Sequence, residues 1–346
     1  MSVSELVWFS PLQPPFAIAG FAWLRTEGNY RRLPTNPPYE IPAAVDNLAN
    51  HTAGGQIRFV TDSPRLSIRV KLSGPANMYH MPATGQNGFD CYEELEGNLR
   101  YRATATFSAA ATEYEALLFE NGATEPRQIV LHFPLYQGVV EVSVGLEAGA
   151  VVEAPPAYAD SGRVVVYGTS ITQGACASRP GMCYTNLLSR RFNREFINLG
   201  FSGSGKGEPE LSRIIATIPD VDCLVLDYEA NSVSPELYAQ TLPEFIRIYR
   251  EARPKTPVLV LSRIMFARQL FDAEARRQQE TRKKMQIELV RSLRAAGDRH
   301  LHFHDGEKLL LHHGQECFVD GIHPTDLGLM QMADGLEPVL KGILRK

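Results

Sequence analysis

No run of 18 uninterrupted apolar residues occurs in this 346-residue chain, so a membrane-spanning helix is not expected. The apolar stretch from Phe16 to Leu24 is short, and Glu5 precedes it where a signal peptide would carry positive charge. Cysteine is scarce. Cys91, Cys176, Cys183, Cys223 and Cys317 are an odd number scattered over a long chain, which does not read as a disulfide framework. Cys176 and Cys183 are close enough in sequence to pair, but two reduced thiols are the expectation, and Cys223 falls in an apolar run that reads as core. Neither sign of charge dominates. A net charge of -4 and a pI near 6.2 give no reason to expect nucleic acid or a membrane surface as partner. Together these absences suggest a cytoplasmic protein.

What is present is the composition of a soluble globular protein, 44% apolar and 21% charged. The length exceeds one ordinary core and predicts two domains. No internal repeat or low-complexity tract interrupts the chain.

The first ~150 residues read as strands and turns. Leu66 to Leu72 alternates apolar and polar residues without a fault, the pattern of a half-buried antiparallel strand. Ile57 to Thr61 precedes it across a turn at Asp62-Ser63-Pro64. Further strands are predicted at Arg100 to Phe107, Tyr114 to Phe119, Gln128 to Phe133 and Val139 to Val144. Asn121-Gly122 and Gln137-Gly138 are turn signals between them. Short strands at this spacing predict an all-β sandwich, such as a jelly roll, over residues 1–155. Between Glu147 and Gly162 the composition shifts to Ala, Pro and Gly, which marks a linker at 156–162.

From 163 to 346, short apolar runs alternate with helical patterns. The strands would be Val164 to Tyr167, Phe196 to Leu199, Cys223 to Leu226, Val258 to Leu261 and Leu301 to Phe303. Ser234 is the expected N-cap, with Pro235 at the first helical position. Tyr238, Leu242, Phe245, Ile246 and Tyr249 then mark one helix face. Met285, Leu289, Leu293 and Ala296 make a second stripe that ends at Gly297. The last segment, from Thr325, is helical, and Pro338 should break or kink it. Such alternation predicts a parallel sheet covered on both faces.

Four pieces of this half can meet at the carboxyl edge of the sheet, where open α/β folds bind ligands. Gly168-Thr169-Ser170 follows the first strand, and its glycine would let the backbone turn sharply. Asn198 to Gly205 follows the second strand and Asp227 to Asn231 the third. Asp320-Gly321-Ile322-His323 lies just before the last helix. Attack on an acyl ester needs an oxygen nucleophile, and a serine hydroxyl is too weak an acid to ionise alone. His323 can take the Ser170 proton and later return it to the leaving alcohol. Asp320 can hold the imidazole tautomer. The backbone N–H groups of Ser170 and Gly203 and the amide of Asn231 are candidates to hold the oxyanion.

With these residues in this order, the chain resembles the SGNH (GDSL-type) hydrolases. The resemblance implies an α/β three-layer, flavodoxin-like catalytic domain over 163–346. It implies a triad of Ser170, His323 and Asp320 and an oxyanion hole of Ser170, Gly203 and Asn231. The chain departs from the usual blocks at Thr169, where Asp is common, at Ser204 after Gly203, and at Glu229-Ala230-Asn231 in the third block. Gln173 to Met182 and Gly88-Phe89-Asp90-Cys91-Tyr92 resemble a narrower subgroup, with Cys91 where its "GxDLY" signature has Leu. Similarity to that subgroup implies a carbohydrate-binding-module-like sandwich ahead of the catalytic domain, helping to wall the active site.

Other signals carry less. His300, His302 and His304 alternate, but nothing nearby completes a ligand set, so no metal and no cofactor are expected. Ser202 to Gly207 lacks the spacing of a phosphate loop and reads as a turn presenting an amide donor. Arg179 either binds an acid on the substrate or forms a structural salt bridge. Tyr79 and His80 sit on a loop that either reaches over the active site or is an ordinary sandwich loop. The expected activity is hydrolysis of small O-acyl (acetyl) esters of a sugar or polyol through an acyl-Ser170 intermediate. The alternatives are an O-acyltransferase in small-molecule biosynthesis and a glycan-binding protein with a silent hydrolase domain.

Overall fold

The computed structural model describes residues 5–345. Its Cα atoms fall into two compact units. One holds the segment ending at Thr35, Ala49–Asp160 and Ala177–Met182; the other holds Asn36–Leu48, Ser161–Cys176 and the chain from Cys183 onward.

The first unit is antiparallel β. Its strands are β1 (Leu6–Phe9), β2 (Ala17–Ala19), β3 (Gln56–Thr61), β4 (Leu66–Leu72), β5 (Asp90–Leu95), β6 (Asn98–Thr104), β7 (Glu113–Phe119), β8 (Arg127–His132), β9 (Val139–Glu147) and β10 (Val152–Glu153). One sheet has the order β1-β9-β4-β7. The other has the order β10-β3-β8-β5-β6, with β2 also paired to β3. The alternation in β4 shows how the sheets bury a core. Ile68 and Val70 are buried while Arg69 and Lys71 face solvent, and Ile68 lies between Ala116 of β7 and Val144 of β9. Phe59, Ile129 and Leu131 from the second sheet, and Phe133 just beyond β8, share one apolar cluster with these residues. Burying each such side chain stabilises the fold by about 1.5–3 kcal/mol. An antiparallel region built this way fits a β-sandwich.

Strand β5 is held by charge as well as by apolar contact. Asp90 is fully buried, opposite His132 in register, and its Oδ1 lies 2.8 Å from His132 Nδ1. Its Oδ2 accepts from Arg179 Nη1 at 2.7 Å and from Gly181 N at 2.7 Å. Periodicity does not detect a strand that begins on a buried carboxylate, and none was expected there.

The second unit carries a parallel sheet of β11 (Arg163–Gly168), β12 (Phe196–Gly200), β13 (Val221–Asp227), β14 (Val258–Leu261) and β15 (Leu301–His304). The order is β12-β11-β13-β14-β15. Counted from the first strand this is 2-1-3-4-5, the flavodoxin-like doubly wound order. The longer helices are α1 (Tyr184–Phe192), α2 (Pro209–Ala216), α3 (Pro235–Ala252), α4 (Ala273–Ala295) and α5 (Asp326–Leu344). Right-handed crossovers put α1 on one face and α2, α3 and α4 on the other. The packing agrees: α5 lies against α1, α2 against α3, and α3 against α4. No helix among the described residues is long and apolar enough to cross a membrane. All five cysteines are buried, and none of them forms a disulfide.

Helix α3 follows its expected cap and face. Ser234 Oγ accepts from Leu237 N at 3.2 Å, and Tyr238, Leu242, Phe245, Ile246 and Tyr249 are buried. Helices α4 and α5 differ from expectation. In α4, Met285, Leu289 and Leu293 are only half-buried and Ala296 is exposed, whereas Ala275, Gln279, Arg282, Gln286 and Val290 form the buried face. Helix α5 runs through Pro338 without breaking. Pro338 and Asp334 both face solvent, so water can serve the carbonyl of Asp334 that loses its i→i+4 partner.

Candidate active site

Strand β11 delivers Ser170 to the carboxyl edge of the parallel sheet. Gly168, its last residue, does not adopt a left-handed φ. A Cβ there would lie 2.0 Å from Thr172 Oγ1 and 2.8 Å from the Asp227 carbonyl oxygen. Close packing, not backbone freedom, requires glycine at this point. Thr169 then caps the short helix Ser170–Gln173: its Oγ1 accepts from Ile171 N at 3.3 Å, and Thr172 Oγ1 accepts from Thr169 N at 3.3 Å. The threonine standing where Asp is common in the family therefore does the work of an N-cap.

Beneath this turn is a bed of buried polar groups. Thr172 Oγ1 and Tyr184 OH donate to Asp227 Oδ2 at 2.8 Å and 2.7 Å. Burial pushes the Asp227 carboxyl up to about 6, against the pull of the two hydroxyls. Asn198 Nδ2 donates to Thr172 O at 2.7 Å and to Thr185 Oγ1 at 3.0 Å, while its Oδ1 accepts from Gly200 N at 3.0 Å. No sequence pattern assigns a role to Asp227, Thr172 or Tyr184. The one available signal was a carboxylate closing the apolar run of β13.

The loop before α5 carries the other partners. Gly321 has φ +81°, which folds 320–323 into a tight turn. Val319 N donates to His323 O at 3.0 Å, and Ala267 N donates to Gly321 O at 2.9 Å. Asp320 Oδ1 accepts from Ile322 N at 3.0 Å and His323 N at 2.8 Å, and its Oδ2 lies 2.7 Å from His323 Nδ1. Partial burial works against the ionised carboxylate, but these hydrogen bonds outweigh it and bring Asp320 down to about 2. An ionised carboxylate at Nδ1 places the ring proton there and leaves Nε2 as an acceptor. Nε2 lies 2.9 Å from Ser170 Oγ. Ser170, His323 and Asp320, separated by up to 153 residues, thus form one hydrogen-bonded chain. Such a chain can move a proton off a hydroxyl and stabilise the imidazolium that results.

Gly203 sits at φ +66° with open space where a Cβ would be, and its N–H donates to no acceptor among the described residues. The Asn231 amide donates to Phe201 O at 3.1 Å and Gly205 O at 3.0 Å, so it stitches the loop that presents Gly203. The remaining expected residues belong to the all-β unit. Arg179 donates to Asp90 and to Tyr92 OH at 2.7 Å each, and its guanidinium lies 3.9 Å from the Tyr101 ring centroid. Tyr79 is 93% exposed, with its ring 4.6 Å from that of His80.

Comparison with known proteins places the chain in a family. Residues 161–341 match the GDSL-like lipase/acylhydrolase family, and residues 6–152 match the GxDLY N-terminus of SGNH-hydrolase-type esterases. A GDSL-like lipase from Bacteroides ovatus is 29% identical, with 99% of this chain and 98% of that chain covered and a TM-score of 0.91. A salicylyl-acyltransferase from a tetracycline biosynthetic pathway is 22% identical, with 98% of each chain covered and a TM-score of 0.79. A family two carbohydrate esterase from Cellvibrio japonicus is 14% identical, with 99% of each chain covered and a TM-score of 0.64. No curated protein matches the chain. The chain belongs to the GDSL-like lipase/acylhydrolase family, as an SGNH-type carboxylic ester hydrolase with a GxDLY N-terminus.

Proposed function

We propose that the protein is a serine esterase that removes small acyl groups, acetyl foremost, from hydroxyls of a sugar or polyol. The observation that carries this is the unbroken chain from Ser170 Oγ through the His323 ring to Asp320. His323 Nε2 takes the Ser170 proton as Oγ attacks the ester carbonyl, and Asp320 stabilises the imidazolium. The carbonyl oxygen becomes an oxyanion, which the N–H groups of Ser170 and Gly203 hold, joined by an N–H of Asn231 if its amide swings from a loop carbonyl. Collapse expels the alcohol, protonated by His323. Water then enters and gives a proton to His323 as its oxygen bonds to the acyl carbon. The acid leaves as the acyl–Oγ bond breaks and His323 returns the proton to Ser170 Oγ.

The sugar or polyol part is supported by likeness to a carbohydrate esterase along the whole chain. We also read the all-β unit as a jelly-roll, carbohydrate-binding-module-like sandwich, and the protein as cytoplasmic; five buried cysteines outside any disulfide suit a reducing compartment.

A second reading rests on the likeness to an acyltransferase, also over nearly the full length. It shares every step up to acyl-Ser170 and differs only in the acceptor hydroxyl that replaces water. Trapping the acyl-enzyme and scoring its breakdown with and without candidate alcohols separates the two. Faster release as ester than as acid selects transfer.

The test of the shared step is 4-nitrophenyl acetate turnover by wild type and Ser170→Ala. A loss of at least about 10³-fold is expected, since the nucleophile acts as a unit with its base. Equal rates would remove the enzyme reading and leave a glycan-binding protein.

A further inference from the structure

The carboxyl ends of β13 and β14 frame a second group of polar side chains, which the proposed chemistry does not use. Glu229 follows β13, and its side chain is fully buried. Its Oε2 accepts from Arg263 N and from Gln286 Nε2, both at 2.8 Å. Its Oε1 faces Arg263 Nε at 3.4 Å without forming a hydrogen bond. The Arg263 side chain is 5% exposed and donates no hydrogen bond among the described residues. Arg282, on the buried face of α4, donates from Nη2 to Ser232 O at 3.2 Å, and its Nε makes no hydrogen bond among the described residues.

These groups line a cleft of about 200 Å³ together with Asn231, Phe266 and the exposed Arg268. The lining carries three guanidinium groups against one carboxylate, a formal excess of two positive charges. Burying a charge without pairing and hydrogen bonds is costly, and one carboxylate faces two buried guanidinium groups, Arg263 and Arg282. Burial pushes the Arg263 guanidinium down to about 10 despite Glu229, a sign of that deficit. The guanidinium lies 4.4 Å from the Phe266 ring centroid, which fixes the plane of its fork. Planar forks of this kind take carboxylate and phosphate oxygens two at a time.

We propose that this cleft is an anion-binding site that takes the carboxylate or phosphate group of a small molecule. The volume suits such a group with a few attached atoms and is below the ~300–1,000 Å³ of pockets for larger ligands. Asn231 borders the cleft and also stitches the Gly203 loop, so an anion here touches the same residue that organises the loop. The anionic group has two possible sources: the ester substrate itself, which would rest on the esterase reading, or a separate free anion.

Binding is measured without turnover, on Ser170→Ala protein, by calorimetric titration with inorganic phosphate and with succinate. Ionic strength is held constant with chloride. A saturable one-to-one isotherm is expected. Arg268→Gln, at an exposed position that leaves the fold intact, should weaken it about tenfold, the size of one charge-assisted hydrogen bond. Glu229→Gln, which removes the one carboxylate of the lining, should tighten it. No saturable binding, unchanged affinity in Arg268→Gln, or weakening in both variants would overturn the proposal. Because these readouts need no catalysis, they stand or fall apart from the esterase reading. In active protein, phosphate that raises KM for a carboxylated aryl acetate but not for 4-nitrophenyl acetate assigns the site to the substrate's own anionic group. Bound phosphate that acts alike on both esters, or on neither, assigns it to a separate anion.

Discussion

Asp320 and Asp227 both serve the turn that carries Ser170, yet their surroundings drive them in opposite directions. Burial opposes ionisation in both. Asp320 receives two backbone N–H groups and the imidazole and keeps contact with water, so it falls to about 2. Asp227 receives two hydroxyl donors on one oxygen in a sealed bed, so it rises to about 6. The number and kind of donors, rather than the residue type, separates a carboxylate that braces a charged imidazole from one that props a backbone turn.

The largest effect should come from removing the charge at the first of these. Asp320→Asn keeps the shape of the loop but sets a neutral amide against His323 Nδ1, which no longer fixes the tautomer or stabilises the imidazolium. The kcat should fall about 10⁴-fold. A fall of less than tenfold on a hydrolysed ester would mean that the loop merely caps its neighbourhood. Asn231→Ala should cost less, about 10²–10³-fold in kcat with KM nearly constant, since an oxyanion donor acts only as charge develops. A change confined to KM would return Asn231 to its visible task of holding the carbonyls of Phe201 and Gly205.

The same contrast explains what the sequence disclosed. Ser170, Asp320 and His323 were legible because each lies at the end of an apolar run or just before a helix, where the fold must expose its ligand edge. The five parallel strands were legible for the same reason, as short apolar runs. What escaped was polar and buried. Strand β5 opens on Asp90, which is satisfied by His132 and Arg179, and α4 turns Gln279, Arg282 and Gln286 inward. Hydropathy reads those residues as surface, because their partners come from distant parts of the chain. Edge strands such as β1 and the two-residue β10 are too short for periodicity to register.

The smallest effect tests Asp227 and concerns stability, not rate. Its folded carboxyl titrates above its unfolded value, so its contribution to stability is complete below about pH 3.9 and is lost as the pH rises through about 6. Asp227→Asn keeps an oxygen to accept from Thr172 and Tyr184 and removes the proton that can be lost. The unfolding free energy of wild type minus that of Asp227→Asn should therefore decline between pH 4 and pH 7, by at most about 2–3 kcal/mol. Glu229, whose burial shifts it in the same direction, is present in both proteins, and its charge, which also pushes Asp227 up, belongs to the Asp227 effect. Urea titrations across that range provide the measurement. A flat or rising difference would mean that the two hydroxyls, like the three donors at Asp320, are enough to keep a buried carboxylate charged.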